Sequence, residues 1–305
     1  MREFAVLERI FKENPRLPRR VLLPPGDDMA LLALGGAQRL LVAADSVIEG
    51  RHVAMGTDPL AIGRKVVLRN ISDVAAMANA RPLACVATAV LPSAATDDAA
   101  WRLYEGMRST AEAWDAPLVG GDVATSADAR GITASVTILA VPLDESRPVA
   151  TRADAKAGDG VYVTGEIGGA WDALTGLGRH LDFTPRLAVA QELFRSLGPR
   201  LGAMIDVSDG LGRDLGHIAA MSAVAIEIDL ARVRARGDAL AAIGHGEDYE
   251  LAFTARGEVP ALVAGVAVTR IGTVLAGAGT VHALADGRRI DISRAGFEHD
   301  GGGAA

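Results

Sequence analysis

Short apolar runs alternate along this chain with longer segments whose apolar residues fall at helical spacing, and many of the runs meet a glycine or an aspartate. Strands mixed with helices in this way, in both halves, indicate an α+β or mixed α/β protein. Residues 39–44 (RLLVAA) predict a strand ending at Asp45. Asp58-Pro59 then opens a helix, since aspartate is a good N-cap and proline is tolerated at the first helical position. Leu60, Val67, Ile71, Val74 and Ala78 give that helix one apolar face. Arg81-Pro82 closes it, because proline cannot continue a helix. Residues 83–90 read as a buried strand, 97–114 as a helix, 117–119 as a short strand running into Gly120-Gly121-Asp122, and 131–141 as another strand.

Residues 141–158 are polar, carry two prolines and lack periodicity, which marks a boundary. At about 150 residues per domain, 305 residues suggest two domains, here 1–140 and 141–305. The second half restarts with strands at 161–164 and 203–206. Thr184-Pro185 opens a helix, another begins near Asp209 with Ser208 or Asp209 as its cap, and further strands follow at 224–228, 249–254 and 266–274. The opening MREFAVLERIFKENPR reads as an amphipathic helix and not a signal peptide. The closing GGGAA reads as a frayed tail.

The bulk properties remove several classes. The net charge is −7, without a basic cluster, which argues against a nucleic-acid partner. No apolar stretch approaches membrane-spanning length. A cytoplasmic protein without a membrane partner is therefore expected. Cys85, the only cysteine, lies in LACVATAV and reads as a packed thiol, so neither an intrachain disulfide nor a cysteine-built zinc site is possible.

Six acidic spots carry the chemical signal: Gly26-Asp27-Asp28, Asp45 with Glu49-Gly50-Arg51-His52, Asn70-Ile71-Ser72-Asp73, Gly120-Gly121-Asp122, Asp206-Val207-Ser208-Asp209-Gly210 and Gly244-His245-Gly246-Glu247-Asp248-Tyr249-Glu250. Each alone reads as a loop, a helix cap or a polar helix face. As a set they are oxygen ligands without zinc-type spacing, which favours a hard cation such as Mg²⁺. Carboxylates brought together repel, so an intact site calls for metal, and ATP phosphates are then the natural further ligands. The glycines at 120–121 would let a ligand approach the backbone. No Walker loop, dinucleotide fingerprint, protein-kinase signature, nucleophile elbow or H-E-x-x-H is present.

The stretches PPGDDMALL, DSVIEGRHV, GRKVVLRNISDVAAMANARP, LVGGD, AGDGVYVTGEIG, IDVSDGLGRDLGHIAAMS, HGEDYELAFT and the closing GFEH resemble the thiamine-monophosphate kinase family. That family sits in the superfamily of aminoimidazole-ribonucleotide synthetase and selenophosphate synthetase. The resemblance implies a two-domain fold of that superfamily, with N-terminal halves pairing into a homodimer. It implies transfer of the ATP γ-phosphoryl group to thiamine monophosphate, without a covalent phospho-enzyme. By the same resemblance Asp28, Asp45, Asp73, Asp122, Asp206 and Asp209 match Mg²⁺ ligands, with Asp45 and Asp209 closest to the chemistry. Tyr104, Gly121, Asp122, Arg152 and Ser208 match ATP contacts; His52, Glu247 and Phe297 match contacts to thiamine monophosphate. Where the family carries Ser-Thr before the strand aspartate, this chain has Ala43-Ala44, and Val123 replaces a threonine after Asp122. The competing readings are another ATP-dependent member of the superfamily and a non-catalytic nucleotide-binding protein on the same fold.

Overall fold

The computed structural model describes residues 17–297 apart from 173, together with Val6, Arg9 and Ile10. The expected N-terminal amphipathic helix and the GGGAA tail lie largely or wholly outside the described residues. Two sheets organise the chain. The first has strand order β1-β2-β3-β6-β4-β5, built from β1 (Val21–Leu23), β2 (Ala30–Gly35), β3 (Gln38–Ile48), β4 (Arg81–Pro92), β5 (Leu118–Ser126) and β6 (Thr133–Val141). Its pairings are antiparallel except β4 with β5, which are parallel and joined through α2 (Asp97–Ala113).

The second sheet follows the order β14-β13-β9-β12-β7-β10-β8. Its strands are β7 (Gly160–Thr164), β8 (Leu201–Asp206), β9 (Val224–Asp229), β10 (Leu251–Ala255), β12 (Val266–Ala276), β13 (Thr280–Ala285) and β14 (Arg288–Asp291). The short β11 (Leu262–Val263) pairs with β12. Helices α3 (Leu187–Leu197), α4 (Leu211–Met221) and the single-turn α5 (Ala239–Ala242) complete this half.

Helix α1 (Pro59–Ala76) joins the two halves. Its start is the expected one: the Asp58 side chain accepts from the Leu60 N–H, and Pro59 occupies the first turn. Val67, Ile71 and Val74 are fully buried. The helix packs on α2, β3 and β6 of the first half and on α3 and β8 of the second. Its approach to α2 depends on two glycines. A Cβ on Gly63 would fall 2.2 Å from the Leu103 carbonyl oxygen, and one on Gly106 2.2 Å from that of Leu60. The core around α1 accordingly draws on both halves, from Met29 and Val136 to Leu193 and Phe253.

Several sequence expectations shift. Strand β3 continues through Asp45 to Ile48, because Asp45 to Ile48 pair with Val136 to Thr133 on β6. Gly120, Gly121 and Asp122 are part of the edge strand β5 and not a turn after it. Strand β4 is buried on one face only: Ala87 and Ala89 point inward, while Leu83, Val86 and Val90 are exposed. Helix α3 starts at Leu187, beyond Thr184-Pro185. Helix α4 starts at Leu211, with Gly210 at its cap and no side-chain cap, so neither Ser208 nor Asp209 serves there. Cys85 is the packed thiol expected: it is fully buried, and burial pushes it up to about 11.

Candidate active site

Lys65, Arg69 and Asp73 recur every fourth residue of α1, so they share one face, a turn apart. Each meets a partner brought from elsewhere. Lys65 forms an ion pair with Glu247, and Arg69 with Asp45 at 3.0 Å. Asp73 joins Asp28 and Asp206, one carboxylate oxygen of each lying within 4.8 Å of the others. Asp28 precedes β2, and Asp206 ends β8. The site thus runs along one helix between the two sheets.

The three-carboxylate group is electrostatically expensive. Burial, then the neighbouring Asp45 and Asp206, push Asp73 well above its ordinary value. Burial, then Asp28, push Asp206 up to about 7, while the Ser72 hydroxyl, donating at 2.6 Å, pulls it back. The adjacent Asp27 rises to about 6, chiefly through burial. The nearest fixed compensation is Arg152, whose Nη2 donates to Asp28 at 2.6 Å and whose backbone N–H donates to Asp27 at 3.0 Å. The donors are all oxygen, which suits Mg²⁺, and raised carboxylates favour a cation among them.

Asp45 does not join this group. Its carboxylate is gripped by Arg69 through Nε at 3.0 Å and Nη2 at 3.4 Å, while Nη1 donates to the Ser46 carbonyl. Asp122 is more remote. Across the sheet Asp45 pairs with Val136, Val136 with Ala87 and Ala87 with Gly121, which makes three strand spacings, or about 14 Å. Asp122 and Gly121 instead line a separate open cavity of about 680 Å³ with Tyr104 and Trp101. The glycine at 121 has a packing cause: a Cβ there would lie 1.9 Å from the Ala87 carbonyl oxygen.

A second cavity of about 540 Å³ is lined by Arg51, His52, Arg69, Trp171, Ser208, Asp209, Glu247 and Phe297 among others. Its floor comes from two interlocked loops. The N–H groups of Glu247 and Tyr249 donate to the carbonyls of Ser208 and Val207, and the Val207 N–H donates to Glu250. Glu247 and Tyr249 hold left-handed backbone, φ 68° and 51°, a strained conformation that concentrates at functional sites. Phe297 is held at the rim, its N–H on the Asp209 carbonyl and its ring 4.7 Å from the Arg51 guanidinium.

Comparison with known proteins shows the family. Residues 26–141 match the family model of the AIR synthase related protein, N-terminal domain. The chain is 36% identical over 281 residues to the thiamine-monophosphate kinase of Mycobacterium tuberculosis (strain H37Rv), covering 85% of this chain and 82% of that protein. The chain belongs to the thiamine-monophosphate kinase family. The Escherichia coli (strain K12) member is 31% identical over 332 residues, covering 97% and 98% of the two chains. A solved structure of the family, AaThiL complexed with AMPPCP and TMP, superposes with a TM-score of 0.80 at 26% identity over 98% of this chain and 97% of that one.

In this thiamine-monophosphate kinase family member the thirteen residues singled out in the sequence fall into three places. Asp28, Asp73 and Asp206 converge, with Asp45 and Arg152 beside them. His52, Ser208, Asp209, Glu247 and Phe297 line the 540 Å³ cavity. Tyr104, Gly121 and Asp122 line the other. A second group, Asp209, Asp214 and His217, also brings ligand atoms within 4.8 Å of one another, but one Asp214 oxygen accepts the N–H groups of Asp209 and Gly210 and so serves the start of α4. The sequence reading missed Lys65, Arg69, Trp171 and His180. The first two left a signal: cations four residues apart, in register with Asp73 on one helix.

Proposed function

We propose that the protein transfers the γ-phosphoryl group of ATP to thiamine monophosphate, giving thiamine diphosphate and ADP. One observation carries this reading. Along a single face of α1, an aromatic-rimmed pocket with Glu247 at its floor adjoins a cluster of partly buried carboxylates. The relatives' names and the AMPPCP and TMP of the AaThiL complex support it.

His52, Glu247 and Phe297 would hold thiamine monophosphate, and Tyr104, Gly121, Asp122, Arg152 and Ser208 would contact ATP. Mg²⁺ held by Asp28, Asp73 and Asp206, with Asp45 and Asp209 as further ligands, would neutralise the phosphates and bridge them to the protein, while Asp122, three strands from Asp45 in its own cavity, would need a separate ion. An acceptor phosphate is already ionised and needs no strong general base. The chain's own task is therefore positioning and charge balance. Arg69, lining the pocket and fixed by Asp45, keeps a positive charge between the two regions. Asp45 and Asp209 lie closest to the transfer in this scheme, and no residue is asked to carry the phosphoryl group.

The remaining proposals follow from the same reading. The chain divides functionally at residues 1–140, which carry most ATP and metal contacts and the dimer face, and 141–305. A homodimer through the first sheet is supported by the exposed apolar side chains of Leu83, Val86 and Val90 on β4 and of Val119 and Val123 on β5. No helix among the described residues is long and apolar enough to cross a membrane; a cytoplasmic location suits an ATP-using enzyme of this kind. The test is to mix purified protein, MgATP and thiamine monophosphate and assay thiamine diphosphate. ATP binding without product would favour the non-catalytic nucleotide-binding reading, for which Ala43-Ala44 speaks.

A further inference from the structure

We propose that Lys65 is a positioning residue for the acceptor substrate, a buried ammonium that ties three walls of the pocket together and aims the Glu247 carboxylate. This deepens the kinase reading and rests on it. Lys65 is fully buried on α1. An ammonium has three protons and no acceptor, so its partners define its role. Nζ donates to the His52 carbonyl at 2.6 Å and to His180 Nδ1 at 2.8 Å, and it pairs with Glu247 Oε2.

The three partners come from three segments. His52 follows β3 in the first half, His180 lies in the connection between β7 and α3, and Glu247 precedes β10. Two of them, His52 and Glu247, line the cavity directly. His180 acts on it through Trp171, whose ring lies 4.4 Å from the imidazole, centroid to centroid, and itself lines the cavity. Because His180 Nδ1 accepts from Lys65, its proton resides on Nε2, which faces the Gly176 carbonyl at 3.3 Å. The Lys65 ammonium thereby sets the imidazole's tautomer and the floor under Trp171.

Its effect on Glu247 is more direct. Oε2 takes the Lys65 ammonium and the Tyr249 hydroxyl, the latter at 3.1 Å. Among the described residues no donor reaches Oε1. One oxygen is therefore pinned and the other is left for a donor on the ligand. A planar, N–H-bearing heterocycle in the cavity that Trp171 and Phe297 line is the ligand class this arrangement takes. Without the ammonium the carboxylate loses its counter-charge and its orientation, while the carboxylate cluster at the other end of α1 is untouched.

The test is steady-state kinetics of K65M, E247Q and the double variant, with thiamine monophosphate and ATP varied separately. K65M is expected to raise KM for thiamine monophosphate at least about tenfold, and to add less than about twofold on the E247Q background, because the two residues act as one unit. KM for ATP stays within about twofold. Equal losses for both substrates, or additive effects, overturn the proposal. If K65M does not fold, nitrogen-15 NMR of wild-type His180 carries the test. A neutral ring with its proton on Nε2 between about pH 5 and 8 supports the tie; a proton on Nδ1 overturns it. Absence of thiamine diphosphate from the wild-type reaction would instead overturn the kinase reading, and the NMR result would still decide the tie.

Discussion

Replacing Asp206 by asparagine should stabilise the metal-free protein while abolishing its function. Asp206 is almost wholly buried, and burial with the nearby Asp28 carries it from 3.8 to about 7. Three pKa units at about 1.4 kcal/mol each place roughly 4 kcal/mol of strain on the ionised form. The sign follows from the raised value. The native state holds this proton more tightly than the unfolded chain, so the associated stability is fully present below about pH 4 and is lost as pH rises through about 7. An amide never ionises and still offers an oxygen to the Ser72 hydroxyl. Allowing for relaxation and water entry, D206N should gain about 2 kcal/mol at about pH 8 and nearly nothing below pH 4. Denaturant unfolding in excess chelator at both pH values measures this. Mg²⁺ should then stabilise wild type more than the variant, and turnover of the variant should collapse. A variant no more stable than wild type at the higher pH, or an advantage independent of pH, would refute the reasoning.

Other expectations are as direct. D45N and D209N should each lower turnover sharply, D209N with little change in the unfolding midpoint and D45N with a lower one, because it leaves the Arg69 guanidinium without its carboxylate partner; near-normal activity in either purified protein would remove that residue from the chemistry. G63A should destabilise the fold by about 1–3 kcal/mol, because its Cβ meets the Leu103 carbonyl oxygen 2.2 Å away across the α1–α2 contact; an unchanged melting curve would contradict that packing. F297A should raise KM for thiamine monophosphate several-fold with KM for ATP unchanged, read from initial rates. Cys85, buried and pushed up to about 11, should resist thiol reagents at neutral pH in the folded protein and react once it is denatured.

Much of the local structure could be read from the chain. Asp58-Pro59 announced α1 because cap and first-turn chemistry are local, and the side chain indeed accepts from the Leu60 N–H. The α2 segment and most central strands were legible for the same reason. Strands β1, β2, β13 and β14 were not, since each spans only three to six residues and carries too short a pattern to announce a strand, although most of their pairings are with the next strand along the chain. The end of β3 was misjudged because a charged residue looks like a terminus; Asp45 stays in the strand since β6 pairs with it. The glycine at 121 suggested ligand access, whereas the carbonyl of Ala87 on the neighbouring strand is what forbids a side chain.

The residues alone determined the chemical vocabulary: many aspartates beside glycines, a single cysteine, no standard phosphate-binding loop, and motifs that narrow the family. They could not say which aspartates meet. Convergence of Asp28, Asp73 and Asp206, the capture of Asp45 by Arg69, and the distance to Asp122 follow from how α1 is clasped between two sheets. Lys65 makes the point most plainly. In sequence it is one charge on an amphipathic helix, and only the packing of three distant segments around its ammonium gives that charge a purpose. Local propensity acts over a few residues, while burial and charge pairing depend on what the rest of the chain brings alongside.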